Sequence, residues 1–74
     1  MNPRISMDPQ ICHGKPVIRG TRVLVSTLLG ALAGGDSMEH IEEDYKVTKA
    51  DIAAALEFAK DASEYQISSY EAVA

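Results

Sequence analysis

Apolar residues recur at intervals of three and four positions from residue 25 onward, as they do in amphipathic α-helices. The first predicted helix runs from Val25 or Ser26 to Ala33 and ends at the glycine pair that follows. Residues at i, i+3, i+4 and i+7 form its apolar face: Val25, Leu28, Leu29 and Leu32. We therefore expect one side of this helix to be buried against the rest of the protein.

A second helix is predicted after the glycine pair, over the stretch that begins near Met38. Asp36 or Ser37 is placed to cap it, and Glu39 lies three residues after Asp36, where it would complete a capping box. Its buried residues are predicted to be Met38, Ile41 and Tyr45.

The third predicted helix runs from Lys49 to about Ser63, after a short turn at Lys46-Val47. Thr48 and Asp51 have the spacing of a second capping box. The core face of this helix is predicted to comprise Ile52, Ala55, Leu56 and Ala59. Two helices joined by so short a turn have the dimensions of a helix-turn-helix. However, helical hairpins of this size also occur in proteins that bind no nucleic acid.

All three prolines lie within the first sixteen residues, which we expect to be extended rather than helical. β-Branched residues then predict two short strands around Arg19-Gly20: Val17-Ile18 before it, and Thr21, Val23 and Val25 after it. Gly20 can supply the positive φ of a type II or bulged turn between them. The predicted fold is mainly α, with an extended segment or β-hairpin over 5–25, three helices over 26–63 and a C-terminal tail over 64–74.

The charge is unevenly distributed along the chain. The net charge is −4, but residues 1–35 hold four basic residues against one acidic residue, and residues 36–74 hold three against ten. We therefore expect any polyanion to bind to the N-terminal half of the chain. Because 74 residues bury only a small core, we also expect a homodimer, held partly by the N-terminal segment, Leu28 and Leu32.

A single cysteine indicates a reducing compartment, and the first residues lead into no apolar signal region. No apolar stretch is long enough to span a bilayer. We expect a cytoplasmic protein that does not contact a membrane.

The stretch from His13 to Val25, HGKPVIRGTRVLV, resembles the signature of the prokaryotic family known as domain of unknown function 433. The segments before and after it also fit, namely Asp8-Pro9, Leu28 to Gly35, Tyr45 and Thr48 to Leu56, so the resemblance covers residues 5 to about 60. It implies a homeodomain-like three-helix fold with a small N-terminal β-element. It also implies a VapB-type antitoxin, which neutralises a PIN-like ribonuclease toxin and binds its own operator DNA.

The third helix has few of the residues that read base edges, because its polar side carries no Arg, Asn or Gln. We expect any DNA contact to use the basic hairpin and the N-terminus of this helix: Lys15, Arg19, Arg22, Thr48 and Lys49. A helix N-terminus offers N–H groups and partial positive charge to phosphate. Arg19 and Arg22 have an alternative role as solvated turn residues or ion-pair partners of the acidic second helix, and Thr48 as a helix cap.

The tail from Glu64 to Ala74 combines apolar residues with acids and has no base. We predict that it binds the partner protein through Tyr65, Ile67 and Tyr70. The alternative is that these residues pack on the protein's own core or on a dimer mate. Two function classes follow: an antitoxin that binds toxin and operator DNA, or a protein-binding adaptor that does not bind DNA.

We expect no catalytic residue, no cofactor and no metal site. Cys12 and His13 are neighbours in a segment predicted to be extended, so their side chains would point to opposite faces. No third group is indicated that would orient the histidine for nucleophilic catalysis. The spacing of Cys12, His13 and His40 matches no common metal site.

Overall fold

The computed structural model describes residues 1–64 of the chain. This part contains two short strands and three α-helices. The strands are β1 (Ile5–Ser6) and β2 (Val17–Ile18), and the helices are α1 (Val25–Ala33), α2 (Met38–Tyr45) and α3 (Lys49–Ser63). The three helices lie where the hydrophobic periodicity predicts them. The fold is therefore mainly α, with a two-stranded antiparallel sheet.

The cap of α2 is Ser37, whose Oγ accepts a hydrogen bond from the main-chain N–H of His40 at 3.1 Å. The capping box predicted for Asp36 and Glu39 is therefore wrong, because the helix begins one residue later than that box requires. The box predicted at the start of α3 is confirmed. Between the two helices, Lys46 takes a left-handed conformation with φ of 56° and ends α2.

The sheet differs from the predicted hairpin in one of its strands. β2 pairs with β1, and the pair places Ile5 opposite Ile18. The segment after the turn contributes only a single bridge, from Leu24 to Val17. A two-residue strand is too short to show the alternating pattern of a β-strand. Ile5 is held in the sheet by the burial of its side chain, which is 0% exposed.

The tight turn after β2 is confirmed. The main-chain N–H of Thr21 donates to the carbonyl of Ile18 at 3.0 Å. Gly20 occupies the third position with φ of 80°, which a type II turn requires and which side chains disfavour.

The connection from β1 to β2 is predicted to be extended. This prediction is wrong at Cys12–Gly14, which forms one short helical turn. Cys12, His13 and Gly14 all have positive φ, at 50°, 59° and 82°. This conformation is costly for residues other than glycine. Two hydrogen bonds offset the cost: Gly14 N–H donates to the Ile11 carbonyl at 3.0 Å, and Lys15 N–H to the Cys12 carbonyl at 3.2 Å.

The core brings together buried side chains from each strand and helix, among them Ile5, Ile18, Leu28, Ile41 and Ile52. Leu28 is 0% exposed, so its predicted role in a dimer interface is wrong. Leu32 is half-buried. The homodimer itself stays a prediction.

The residues of α3 that are buried lie on a different face of the helix from the one predicted. Leu56 is 47% exposed, whereas Ala54 is buried at 1%. The N-terminal segment lies along α3 on the side of Asp51, which Arg4 contacts. Alanines occur on several faces of α3, so the sequence pattern could not determine which face that segment would cover.

Candidate functional site

Arg19, predicted to contact DNA, holds the N-terminal segment in place. Its Nε donates to the carbonyl of Pro3 at 2.7 Å and its Nη2 to the carbonyl of Ile5 at 3.1 Å. Its main-chain N–H donates to the carbonyl between them, that of Arg4, at 2.7 Å. One residue thus binds three consecutive carbonyls. The hydrogen bonds of Arg19 therefore go to the main chain of the N-terminal segment and not to an acid of α2.

Lys15 and Arg22, the other predicted hairpin contacts, are exposed. Within residues 1–64, neither takes part in an ion pair. Lys15 lies at the edge of a groove between α1 and α3, beside Pro16 and Leu29. These two cations are available to an outside anion.

The N-terminus of α3 is already occupied by a carboxylate of the protein. Asp51 Oδ2 accepts the main-chain N–H of Thr48 at 2.9 Å, and the Thr48 hydroxyl accepts the Asp51 N–H at 3.1 Å. Arg4 Nη1 lies 3.1 Å from Asp51 Oδ1. Burial raises the pKa of Asp51, but the hydrogen bonds from Thr48 and Arg4 and the charge of Arg4 together hold it below its ordinary value.

Lys49 lies in acidic surroundings. Its Nζ is 3.5 Å from Glu39 Oε1, and a shallow groove places it among Glu42, Glu43 and Lys46. A main-chain hydrogen bond at Glu39 and the charge of Lys49 lower the pKa of Glu39. Lys49 therefore lies in a different groove from Lys15. The residues predicted to contact DNA do not form a single group on the surface.

Sequence reasoning missed two mainly apolar grooves beside the second half of α3. No described residue of α3 beyond Ala55 is fully buried. Phe58 is half-buried and lines two grooves: one against Leu29 and Pro16, the other against Met1 and Ala62. Phe58 thus forms a ridge between them.

Met1 forms a second ridge. It lines the groove with Phe58 and also a third groove, which mixes the apolar Met7 and Ile11 with the charged Asp8 and Arg19. Met1 is 71% exposed and Met7 49%. Five apolar residues that line the three grooves are called the apolar belt: Leu29, Phe58, Met1, Met7 and Ile11. One signal for it is Phe58, the single phenylalanine of the chain, which follows the last buried residues of α3.

Tyr65, Ile67 and Tyr70, the predicted partner-binding residues, lie outside the described residues. In the sequence they follow α3, which ends at Ser63.

The histidines and the cysteine form no metal-binding group in the described part of the chain. The Cys12 thiol donates to the main-chain carbonyl of Arg22 at 3.7 Å, and His40 Nε2 lies 3.1 Å from Asp44 Oδ2. No helix among residues 1–64 is both long enough and apolar enough to cross a membrane.

Residues 5–59 match the profile of a protein family described as "Protein of unknown function (DUF433)". This range extends from β1 into the second half of α3. No curated protein and no solved structure matches the chain significantly.

Proposed function

Since the chain belongs to the family described as "Protein of unknown function (DUF433)", we propose its function from its surface: it is a protein-recognition module that binds a partner protein through the apolar belt. The observation that carries this proposal is the connection of three grooves through Phe58 and Met1. Contiguous apolar patches on small proteins commonly mark interaction sites.

The residue types of the belt suit protein recognition. Phe58 offers an aromatic ring that a partner can cover, and aromatic residues are common among those that dominate binding energy. Met1 and Met7 have unbranched side chains that adapt to the shape of a partner. Each groove also contains charged residues: Lys15 in the first, Asp61 in the second, and Asp8 and Arg19 in the third. This arrangement matches the polar rim and apolar centre of protein interfaces.

The partner we propose is a PIN-like ribonuclease toxin, with this chain as its antitoxin. This part of the proposal is supported by the family resemblance of the sequence. The tail residues Tyr65, Ile67 and Tyr70 would extend the contact beyond α3.

The experiment is co-expression of the chain with the product of the neighbouring gene, followed by co-purification and a growth assay. Phe58→Ser should abolish the complex and the protection from toxicity. Leu56→Ser is the matched control, because it makes the same kind of change on the same helix at an exposed residue outside the three grooves. Thermal melts establish that both variants are folded. Equal co-purification of both variants contradicts the proposal, as does the absence of any complex with the wild-type chain.

Operator binding is a second candidate function, supported by the exposure of Lys15 and Arg22 and by their lack of ion pairs within residues 1–64. It would use these two cations rather than the acidic surroundings of Lys49. Carboxylates near a DNA phosphate repel it, so α3 is a poor candidate for the reading helix of a helix-turn-helix.

A further inference from the structure

β1 pairs with β2 on one side and leaves its other side as a free edge of the two-stranded sheet. Ile5 lies opposite Ile18, whose N–H donates away from β1, to the carbonyl of Val23 at 2.9 Å. The next residues along join the two segments, since the N–H of Arg19 donates to the carbonyl of Arg4 at 2.7 Å. Residues of an antiparallel pair alternate between these two positions, so the N–H and carbonyl of Ile5 point away from β2, to the free edge.

Little of this free edge is open. The N–H of Ile5 donates to the carbonyl of Asn2 at 3.0 Å. Met7 is the next residue in the alternation to face the edge, and Pro9, two residues later, has no N–H. The main-chain groups of Met7 make no hydrogen bond within residues 1–64. The groups that a second strand could bind are therefore those of Met7 and the carbonyl of Ile5.

Arg19 occupies the carbonyl of Ile5. Its Nη2 donates to this carbonyl at 3.1 Å, and its Nε donates to the carbonyl of Pro3 at 2.7 Å. The main chain of Arg19 binds on the side of β2, whereas its side chain reaches the opposite side of β1. A charged side chain is one of the means by which proteins protect an exposed strand edge from another chain. With Arg19 in place, a second strand finds no free acceptor at Ile5.

We propose that Arg19 guards the free edge of β1 against pairing with β1 of a second copy of this chain. Identical edges related by a twofold axis can pair antiparallel and satisfy the same groups in both copies. In that pair the Met7 N–H of each copy would donate to the Ile5 carbonyl of the other, which is the group that Arg19 occupies. This guard is a property of the chain alone and is independent of the proposed binding of a partner protein.

Arg19→Ala frees the carbonyl of Ile5 and should make the chain associate more strongly than wild type. Thr48→Ala is the matched control, because it removes a capping hydrogen bond of α3 and so destabilises the fold without changing β1. Thermal melts establish the fold of each variant. Arg19→Lys keeps the charge but loses the planar pair of donors, and it is measured in place of Arg19→Ala if that variant is unfolded.

Two second-site changes test whether the association uses the main chain of Met7. Met7→Pro removes the N–H that the second copy requires, and the preceding Ser6 is in a strand, the conformation that a following proline favours. Met7→Ala shortens the side chain but retains the N–H. Added to Arg19→Ala, Met7→Pro should therefore abolish the association, and Met7→Ala should not.

Sedimentation velocity over a series of concentrations measures the association, and amide hydrogen exchange measured by NMR locates it. In Arg19→Ala the sedimentation coefficient should increase with concentration beyond that of wild type, and exchange of the Met7 amide should become slower. In wild type the Met7 amide should exchange at the same rate at every concentration.

The proposal would be overturned if Arg19→Ala sediments as wild type does, or if Thr48→Ala associates equally, because loss of stability would then be the cause. Association that survives Met7→Pro, or that Met7→Ala also abolishes, would exclude pairing through the main chain. No partner protein is present in these measurements, so their failure would leave the co-purification result for Phe58→Ser standing, and the converse also holds.

Discussion

The guanidinium of Arg19 donates to the carbonyl of Pro3 across 2.7 Å. This bond joins the turn after β2 to the segment that precedes β1, sixteen residues earlier in the chain. The segment so held carries Met1 and Asn2 to the surface of α3, where Asn2 meets Glu57. Arg19 therefore supports the apolar belt from a distance, through the main chain that it holds.

Arg19→Ala should lower the free energy of unfolding by about 1–2 kcal/mol, because it removes two hydrogen bonds from a charged donor at the protein surface. For a domain of this size, each kcal/mol corresponds to roughly 4–8 °C in Tm. Arg22→Ala is the control and should stay within about 0.5 kcal/mol of wild type, since its side chain is exposed and makes no ion pair within residues 1–64. Urea titrations give both values, and equal losses in the two variants would contradict the structural role of Arg19.

Asp51 should make the stability of the protein depend on pH. Because hydrogen bonds and Arg4 lower its pKa in the folded state, the ionised carboxylate stabilises the fold above the ordinary pKa of about 3.8. This stabilisation is lost as the pH falls through the lowered pKa. Asp51→Asn should therefore be less stable than wild type at pH 6 by about 1 kcal/mol, and the difference should shrink as the pH falls through the lowered pKa of Asp51.

Unfolding titrations of both proteins across this range measure the difference. Asp61→Asn changes an exposed carboxylate on the same helix and serves as the control, which should follow wild type. A difference between wild type and Asp51→Asn that is constant with pH would show that the ionised carboxylate of Asp51 contributes nothing specific.

If the chain binds operator DNA, Lys15→Ala together with Arg22→Ala should weaken binding and lower the salt dependence. The slope of log K against log salt concentration should decrease by roughly 0.9 for each lost phosphate contact. Lys49→Ala is the control, because Lys49 is paired with Glu39. Gel-shift titrations at several salt concentrations measure both the affinity and this slope. Unchanged affinity in the double variant would exclude these two cations as the DNA contacts.

Removal of residues 65–74 should leave the fold intact and abolish partner binding. Among residues 1–64, the fully buried ones lie between Ile5 and Ala55, so the Tm should change by no more than a few degrees. Tyr65 and Tyr70 would be lost with their contact area, and co-purification should fail. If the truncated chain unfolds instead, these tyrosines belong to the core or to a dimer interface.

The helices could be predicted from the sequence because each has local signals for its position. α1 has a periodic apolar face and a glycine pair at its end, and α3 begins with the capping pair of Thr48 and Asp51. These signals depend on residues three or four positions apart. Local patterns of this kind therefore determine where a helix begins and which residues can face the core.

The position of the N-terminal segment could not be predicted, because it depends on contacts between residues far apart in the chain. Asn2 and Glu57 are 55 positions apart, and Arg4 and Asp51 are 47 apart. These contacts place the N-terminal segment against the side of α3 that carries Asp51 and Glu57. The same contacts place Met1 and Phe58 along one groove, so the sequence offers Phe58 as a signal for the apolar belt but not the residues that join it.

The most direct test of protein recognition through the apolar belt is hydrogen exchange of the chain, free and mixed with the product of the neighbouring gene. The proposal predicts slower exchange on complex formation in residues 56–64 and 7–11, which contain or adjoin Phe58 and Met7. Residues 38–49, on the acidic side formed by α2 and the start of α3, should exchange at unchanged rates. Slower exchange confined to residues 38–49, or no change in any segment, would contradict the proposal.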